Sequence, residues 1–447
     1  MWLNVCMQHL AQKIWSLPFL LFVFGVAVYI TWQLRFVQFR YFFKSIALMF
    51  SSSEKLHQTT KVHELSPLQA FINTLGSNIG NGSLAGIAVA IYVGGPGSII
   101  WLLVLATVSA SLRYSEVFLG TYVIDKFRVK SARGGPVVYM SLLPGGTIWS
   151  YVFTVLSLAF MFSAGSLAQS HAVGSAVYKL LGVNQVITGL FIFGFITYVF
   201  LGGAQRIVAI LDKLVPLKVG LFLVSSIIVL LYHYQNIPYA LHIMFASACD
   251  TKSILGGSFA FGLQHIVSIG FQQSVFASEA GLGTSAIAFG STQGGQPVQS
   301  GILAMLGVFI NIHVICFLTA LCLLVSGVWS GGETSSAMII AAYETVFGYF
   351  GGWIVLLLVI NFAMSVLIAC AYNGKCCWDF LFSGKFSYIF PLFYCVLAFC
   401  GAWMNVSLVW NITSIVNAIL LLINLLGLLW SMKIIKSELQ LYSSKVG

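Results

Sequence analysis

The chain has 447 residues, of which 59% are hydrophobic and only 7% charged. Soluble domains carry roughly 25% charged residues, so this composition excludes an ordinary soluble fold and points to an all-α polytopic membrane protein with the lipid bilayer as partner. The formal charge of +10 is read as basic residues fixing membrane orientation, and no nucleic-acid partner is expected.

Apolar runs divided by polar breaks predict eleven transmembrane helices. The first, 17–34, is too long for the apolar core of a signal peptide and lacks a small-x-small cleavage site. It is followed by Arg35, so it reads as a retained extra N-terminal helix. Five more follow at 67–93, 97–123, 149–180, 184–201 and 212–232, and another five at 255–290, 299–327, 350–381, 387–404 and 408–432. With the N-terminus outside and the C-terminus cytoplasmic, only Lys13, Lys179 and Lys252 of the 21 basic residues fall on the outer side. Arg113 and Lys218 lie inside spans, and the rest are cytoplasmic, as the positive-inside rule requires. The expected location is the plasma or inner membrane.

Two spans cannot be plain helix. Residues 74–86 read TLGSNIGNGSLAG and residues 276–286 read FASEAGLGTSA. Irregular backbone survives at membrane depth only where protein or a water-filled cavity surrounds it. The two broken spans are the first members of the two groups of five, and five is odd, so the groups start on opposite membrane faces. That is the arithmetic of an inverted repeat, 67–232 against 255–432, within one transporter domain spanning 1–447. The competing reading is close helix packing, because Gly76/Gly80 and Gly82/Gly86 each form G-x-x-x-G.

A broken helix offers bare amides where its second half starts and bare carbonyls where its first half ends. A zwitterionic amino acid needs both. Gly80, Gly82, Gly281 and Gly283 are expected to offer backbone groups, and Asn78, Asn81 and Ser278 side chains, while Phe276 lines the pocket. Glu279 is an acid at membrane depth; it reads as a carboxylate holding the second break open, with a proton site as the other reading. Arg113 and Glu116, three apart on one helix, are expected to neutralise each other near the inner end of their span. His171 is expected to face away from Gln169. Trp15, Trp32, Trp149 and Trp353 are expected at the membrane interfaces.

Enzyme chemistry is excluded. No Gly-Lys-Ser/Thr follows the glycine runs, and no nucleophile set or carboxylate pair has a spatial logic. The nine cysteines form no C-x-x-C or Cys/His pattern, so neither a cofactor nor a metal is expected beyond a coupling ion.

Several blocks in order, VGGPGSIIWLLV at 93–104, RGGPVVYM at 133–140, LGGAQRIVAILDKLVP at 201–216, SEAGLGTSAIA at 278–288 and AMLGVFIN at 304–311, resemble the sodium:alanine symporter family over nearly the whole chain. The resemblance implies a leucine-transporter-like fold, one N-terminal helix plus a five-plus-five inverted repeat. It also implies uptake of alanine, glycine or a similar small amino acid driven by sodium. By position it adds Gln169 and Cys370 to the substrate site and Ser365, Gly76 and Asn311 to a cation site. Departures from the family pattern are Asn311 for a common Asp, Val366 for the second hydroxyl of a Ser-Thr pair, Ser278 for Asn, and Cys370 for Trp. They suggest a larger substrate and altered coupling. The alternatives are a proton-coupled carrier, or a transporter-like sensor or channel without coupled flux. No oligomeric state is read from the chain.

Overall fold

The computed structural model describes residues 2–54, 65–127, 135–249, 259–292, 296–404 and 406–446. Lys55, Lys61, Arg128, Lys130, Arg133, Lys252 and the expected span start at 255–258 lie outside the described residues. The chain begins with α1 (Trp2–Ile14) and α2 (Leu17–Gln33), then the short α3 (Val37–Arg40) and α4 (Phe42–Glu54). The first broken span is α5 (Pro67–Asn78) and α6 (Ala85–Gly94), followed by α7 (Ser98–Phe127) and the single turn α8 (Pro136–Tyr139). Next come α9 (Gly146–Phe162) and α10 (Ala168–Leu181), joined by the π-helical turn Ser163–Leu167, then α11 (Gln185–Leu201), α12 (Gly203–Tyr232) and α13 (Ile237–Cys249). The second broken span is α14 (Phe259–Ser278) and α15 (Thr284–Phe289). After it run α16 (Pro297–Val308) and α17 (Phe317–Val325), joined by the π-helical turn Phe309–Cys316, and α18 (Ser335–Phe347). The chain closes with α19 (Phe350–Leu381), α20 (Ile389–Gly401), α21 (Val406–Trp430) and α22 (Met432–Val446).

Local chemistry explains where the helices start and stop. Ser66 and Gln69 form a reciprocal capping box at the start of α5, with Pro67 at its first position. Asn184 Oδ1 accepts from Val186 N at 2.9 Å to start α11. Pro216 sits inside α12 without ending it; in membranes neighbouring groups can satisfy the backbone that a proline frees.

Among the described residues, six helices are long and apolar enough to cross a bilayer: 98–126, 146–181, 203–232, 297–325, 350–381 and 408–430. A seventh appears if Val5–Ile14 and Leu17–Gln33, bent by 44°, are taken together. At the positions of the other expected spans lie the two interrupted helices and the shorter apolar α11 and α20. Seven helices were not foreseen: α1, α4, α13, α18, α22 and the short α3 and α8. The breaks themselves fall where expected, at 79–84 and 279–283.

α19 is the hub. It packs against α5, α9, α10, α12, α18 and α20, and most of its residues are buried. α7 makes its main contacts with α14 and α16. Polar side chains crowd the interior while Phe43, Leu201 and Tyr388 are more than three-quarters exposed. This polar-in, apolar-out arrangement suits a surround of lipid. Trp32 is exposed, consistent with an interface position, but Trp15 is buried, donates through Nε1 to Ser414 O at 2.9 Å, and packs edge-on against Phe276.

Close helix approach sets the scale of packing. A Cβ on Gly401 would come 2.7 Å from Leu167 O, where backbone meets backbone and neither can yield. Gly401→Ala is therefore expected to cost about 1–3 kcal/mol of stability. Gly194→Ala, where a Cβ would meet nothing within 4 Å, is expected to cost nothing. Thermal unfolding of the two purified variants, side by side, checks this.

Candidate functional site

At the first break α5 ends at Asn78; Leu75 O keeps its helical partner Ile79 N at 3.0 Å, and the carbonyls after it lose theirs. Two side chains from other helices take them over. Lys218 Nζ, from α12, donates to Ile79 O at 2.6 Å, Gly76 O at 3.3 Å and Leu75 O at 3.4 Å, and to Ser365 Oγ of α19. Asn311 Nδ2, in the π-helical turn before α17, donates to Asn78 O at 3.1 Å and to Ala277 O at 2.6 Å. Its Oδ1 accepts from Ser83 Oγ at 2.8 Å. Asn311 thus fastens the ends of α5 and α14 to each other. Asn78 Nδ2 strengthens the link by donating to Ser278 O at 3.1 Å, and Gln273 Nε2 by donating to Gly82 O at 2.9 Å.

The second break turns through left-handed backbone at Glu279 (φ +53°), Gly281 (φ +89°) and Gly283 (φ +77°). Glycine carries the two wider angles without a Cβ penalty. Gly281 N and Gly283 N donate to Glu116 Oε2 at 3.2 and 2.9 Å. Asn424 Nδ2, from α21, donates to the same oxygen at 3.2 Å and to Gly281 O at 2.7 Å. Tyr139 OH donates to Asn424 Oδ1. Arg113 pairs with Glu116 at 2.8 Å, both side chains fully buried, and also donates to Ser278 O.

These contacts reassign roles. Arg113 and Glu116 do pair, but their target is the second break, which sequence reasoning missed. The function expected of Glu279, accepting hydrogen bonds from unwound backbone, belongs to Glu116 of α7. Glu279 instead accepts from Thr284 Oγ1 at 2.7 Å and faces the central cavity. The buried acid in α7 was the available signal; its distance in sequence from the break concealed the connection.

A cavity of about 640 Å³ lies between the two breaks, α10, α18, α19 and α21, within the size range of small-ligand sites. Asn78, Gly80, Asn81, Gly82, Gln169, Phe276, Glu279 and Cys370 line it. Asn81 Nδ2 donates to Gln169 Oε1 at 3.4 Å, while Asn81 Oδ1 is buried without a protein partner. Ser278, Gly281 and Gly283 do not line it, nor do Gly76, Ser365 and Asn311. Gly281 and Gly283 are turned to Glu116, Gly76 and Ser365 to Lys218, and Asn311 to the helix ends. His171, expected to face away from Gln169, lines the same cavity and meets Ser175 Oγ at 3.0 Å. Thr334 and Ser335, at the start of the unforeseen α18, complete the wall.

Six helices of bilayer length, together with two interrupted helices around a cavity, define a multi-span membrane protein. Over 83% of this chain and 81% of the other, the fold matches that of a Na⁺-coupled sialic acid symporter, with a TM-score of 0.56 at 12% identity. The sodium:alanine symporter family model matches residues 1–446, and the chain belongs to that family. It is 27% identical to the sodium/alanine symporter AgcS of Methanococcus maripaludis, over 96% of this chain and 95% of that one. It is 26% identical to an uncharacterized transporter of Haemophilus influenzae, over 97% and 94%. A probable sodium/glutamine symporter, GlnT of Bacillus subtilis, is 25% identical over 96% and 88%.

Leaving Glu116 buried without its cation should be costly. Arg113→Met is expected to destabilise the folded protein by about 3–5 kcal/mol. Asn311→Asp removes both donors to Asn78 O and Ala277 O and is expected to destabilise as well. Thermal or denaturant unfolding in detergent measures both, and losses below about 1 kcal/mol would contradict these roles.

Proposed function

We propose that this chain is a secondary symporter that carries a small amino acid across a cell membrane by alternating access. On this reading it has eleven spans, the N-terminus outside and the C-terminus cytoplasmic, with 67–232 and 255–432 as inverted repeats around the cavity. The five-plus-five arrangement is that of a leucine-transporter-like fold. Family membership and the position of a break at the head of each repeat support this.

The observation that carries the substrate reading is the cavity wall. Asn81 Oδ1 is a buried acceptor with no protein partner, and Asn78, Gln169 and Glu279 add polar groups beside it. Acceptors of this kind suit the ammonium of an amino acid, and the amides of Asn78, Asn81 and Gln169 suit its carboxylate. Phe276, Val366 and Cys370 give an apolar wall for the side chain. Cys370 in place of a larger residue leaves room for a substrate larger than alanine.

Sodium is the driving ion that family membership suggests. A carrier not driven by sodium is the second reading, favoured by the Lys218 ammonium among the oxygens where an ion was expected. Counterflow of radiolabelled amino acids in proteoliposomes tests transport, and imposed ion gradients test the driver. Absence of counterflow for every common amino acid would leave a sensor or channel.

Two variants probe the cavity. A Cβ at Gly82 meets nothing within 4 Å, so Gly82→Leu should fold and project into the substrate space. It is expected to lower uptake at least about tenfold, the effect of a misplaced methylene or more in a fitted pocket. Cys370→Trp is expected to exclude the larger substrates first, shifting competition profiles toward glycine and alanine.

A further inference from the structure

The cradle at the end of α5 has the chemistry of a monovalent cation site. Gly76 O and Ile79 O stand one turn apart where the helix unwinds, and Ser365 Oγ faces them from α19. All are neutral oxygens. Bare carbonyls at half-helix ends, with the negative end of the helix dipole behind them, are what coordinate ions in broken-helix carriers. In this chain the position is filled. Lys218 Nζ lies within 3.4 Å of four oxygens, and the residue is fully buried. Its three N–H donors match an oxygen cage, whereas a carboxylate partner is missing: among the described residues the ion pairs are Arg113–Glu116 and Lys375–Asp379.

A buried ammonium without a counter-charge is expensive at membrane depth and persists only where its surroundings stabilise it. The cage does so, and the ring of Phe362, 5.5 Å from Nζ, adds a favourable face. The same geometry disfavours a free ion. The charge is tethered to α12 and therefore competes at high effective concentration with any ion from solution. Val366, next to Ser365, brings a methyl rather than a hydroxyl; a Cβ on Gly80 would come 2.7 Å from its Cγ2. A sodium ion does not fit the residues present.

We infer that Lys218 is a built-in cation that occupies the Gly76–Ile79–Ser365 cradle in place of sodium, so that this site binds no free sodium in the intact protein and becomes a sodium site when the lysine is removed. The inference rests on the transporter reading for its meaning but not for its test. The purified full-length protein is heated in sodium chloride and in choline chloride of equal ionic strength. Any sodium-specific rise in the wild type is expected to survive Ser365→Ala unchanged, because it would come from outside the cradle. Lys218→Ala is expected to gain a sodium-specific rise of at least about 2 °C, because a ligand that binds only the folded state stabilises it. A sodium-specific rise in the wild type that Ser365→Ala abolishes would overturn the inference, and this arm stands even if Lys218→Ala does not fold. A folded Lys218→Ala protein indifferent to sodium would overturn it as well. Amino-acid counterflow run in parallel separates the two ideas: loss of all flux sinks the transport reading, while the salt response alone decides the cradle.

Discussion

Backbone polar groups cannot be left bare in hydrocarbon, and everything distinctive here follows from interrupting two helices in spite of that rule. Each interruption strips amides and carbonyls of their partners. Lys218 and Asn311 take the carbonyls of the first break, and Glu116 takes the amides of the second. These side chains come from α12, from the turn before α17, and from α7, so three distant stretches of chain are recruited to hold two loops of a few residues each. The buried charges that composition makes so scarce are concentrated on this task.

The two breaks are also one structure. Asn311 reaches the last carbonyls of α5 and α14 at once, and Asn78 of the first break bonds Ser278 at the edge of the second. Movement of one broken helix is therefore mechanically tied to the other. The cavity lies beside this junction, with Asn78, Asn81 and Gln169 in its wall.

The departures from the family pattern make sense as a set. An aspartate at position 311 could only accept hydrogen bonds, whereas asparagine donates to two carbonyls and accepts from Ser83. Val366 removes a ligand from a cradle that Lys218 already fills. A neutral amide at one position and a positive charge at a nearby one set the electrostatics at the end of α5.

Composition, run length and the glycine clusters by themselves determined the class, the places of the two breaks and the cavity-wall residues Asn78, Gly80, Asn81 and Gly82, because burial in lipid demands long apolar runs and tolerates polar glycine-rich interruptions only for a reason. Gln169 and Cys370 were legible through resemblance. Which broken end each buried charge would serve was decided only in three dimensions. Glu116 rather than Glu279 receives the second break, Gly281 and Gly283 bond Glu116 instead of lining the cavity, and Gly76 and Ser365 bond Lys218. Hydrogen bonds reach about 3 Å and depend on direction. Partners separated by more than a hundred residues meet only after the helices have packed, and no periodicity along one chain records that meeting.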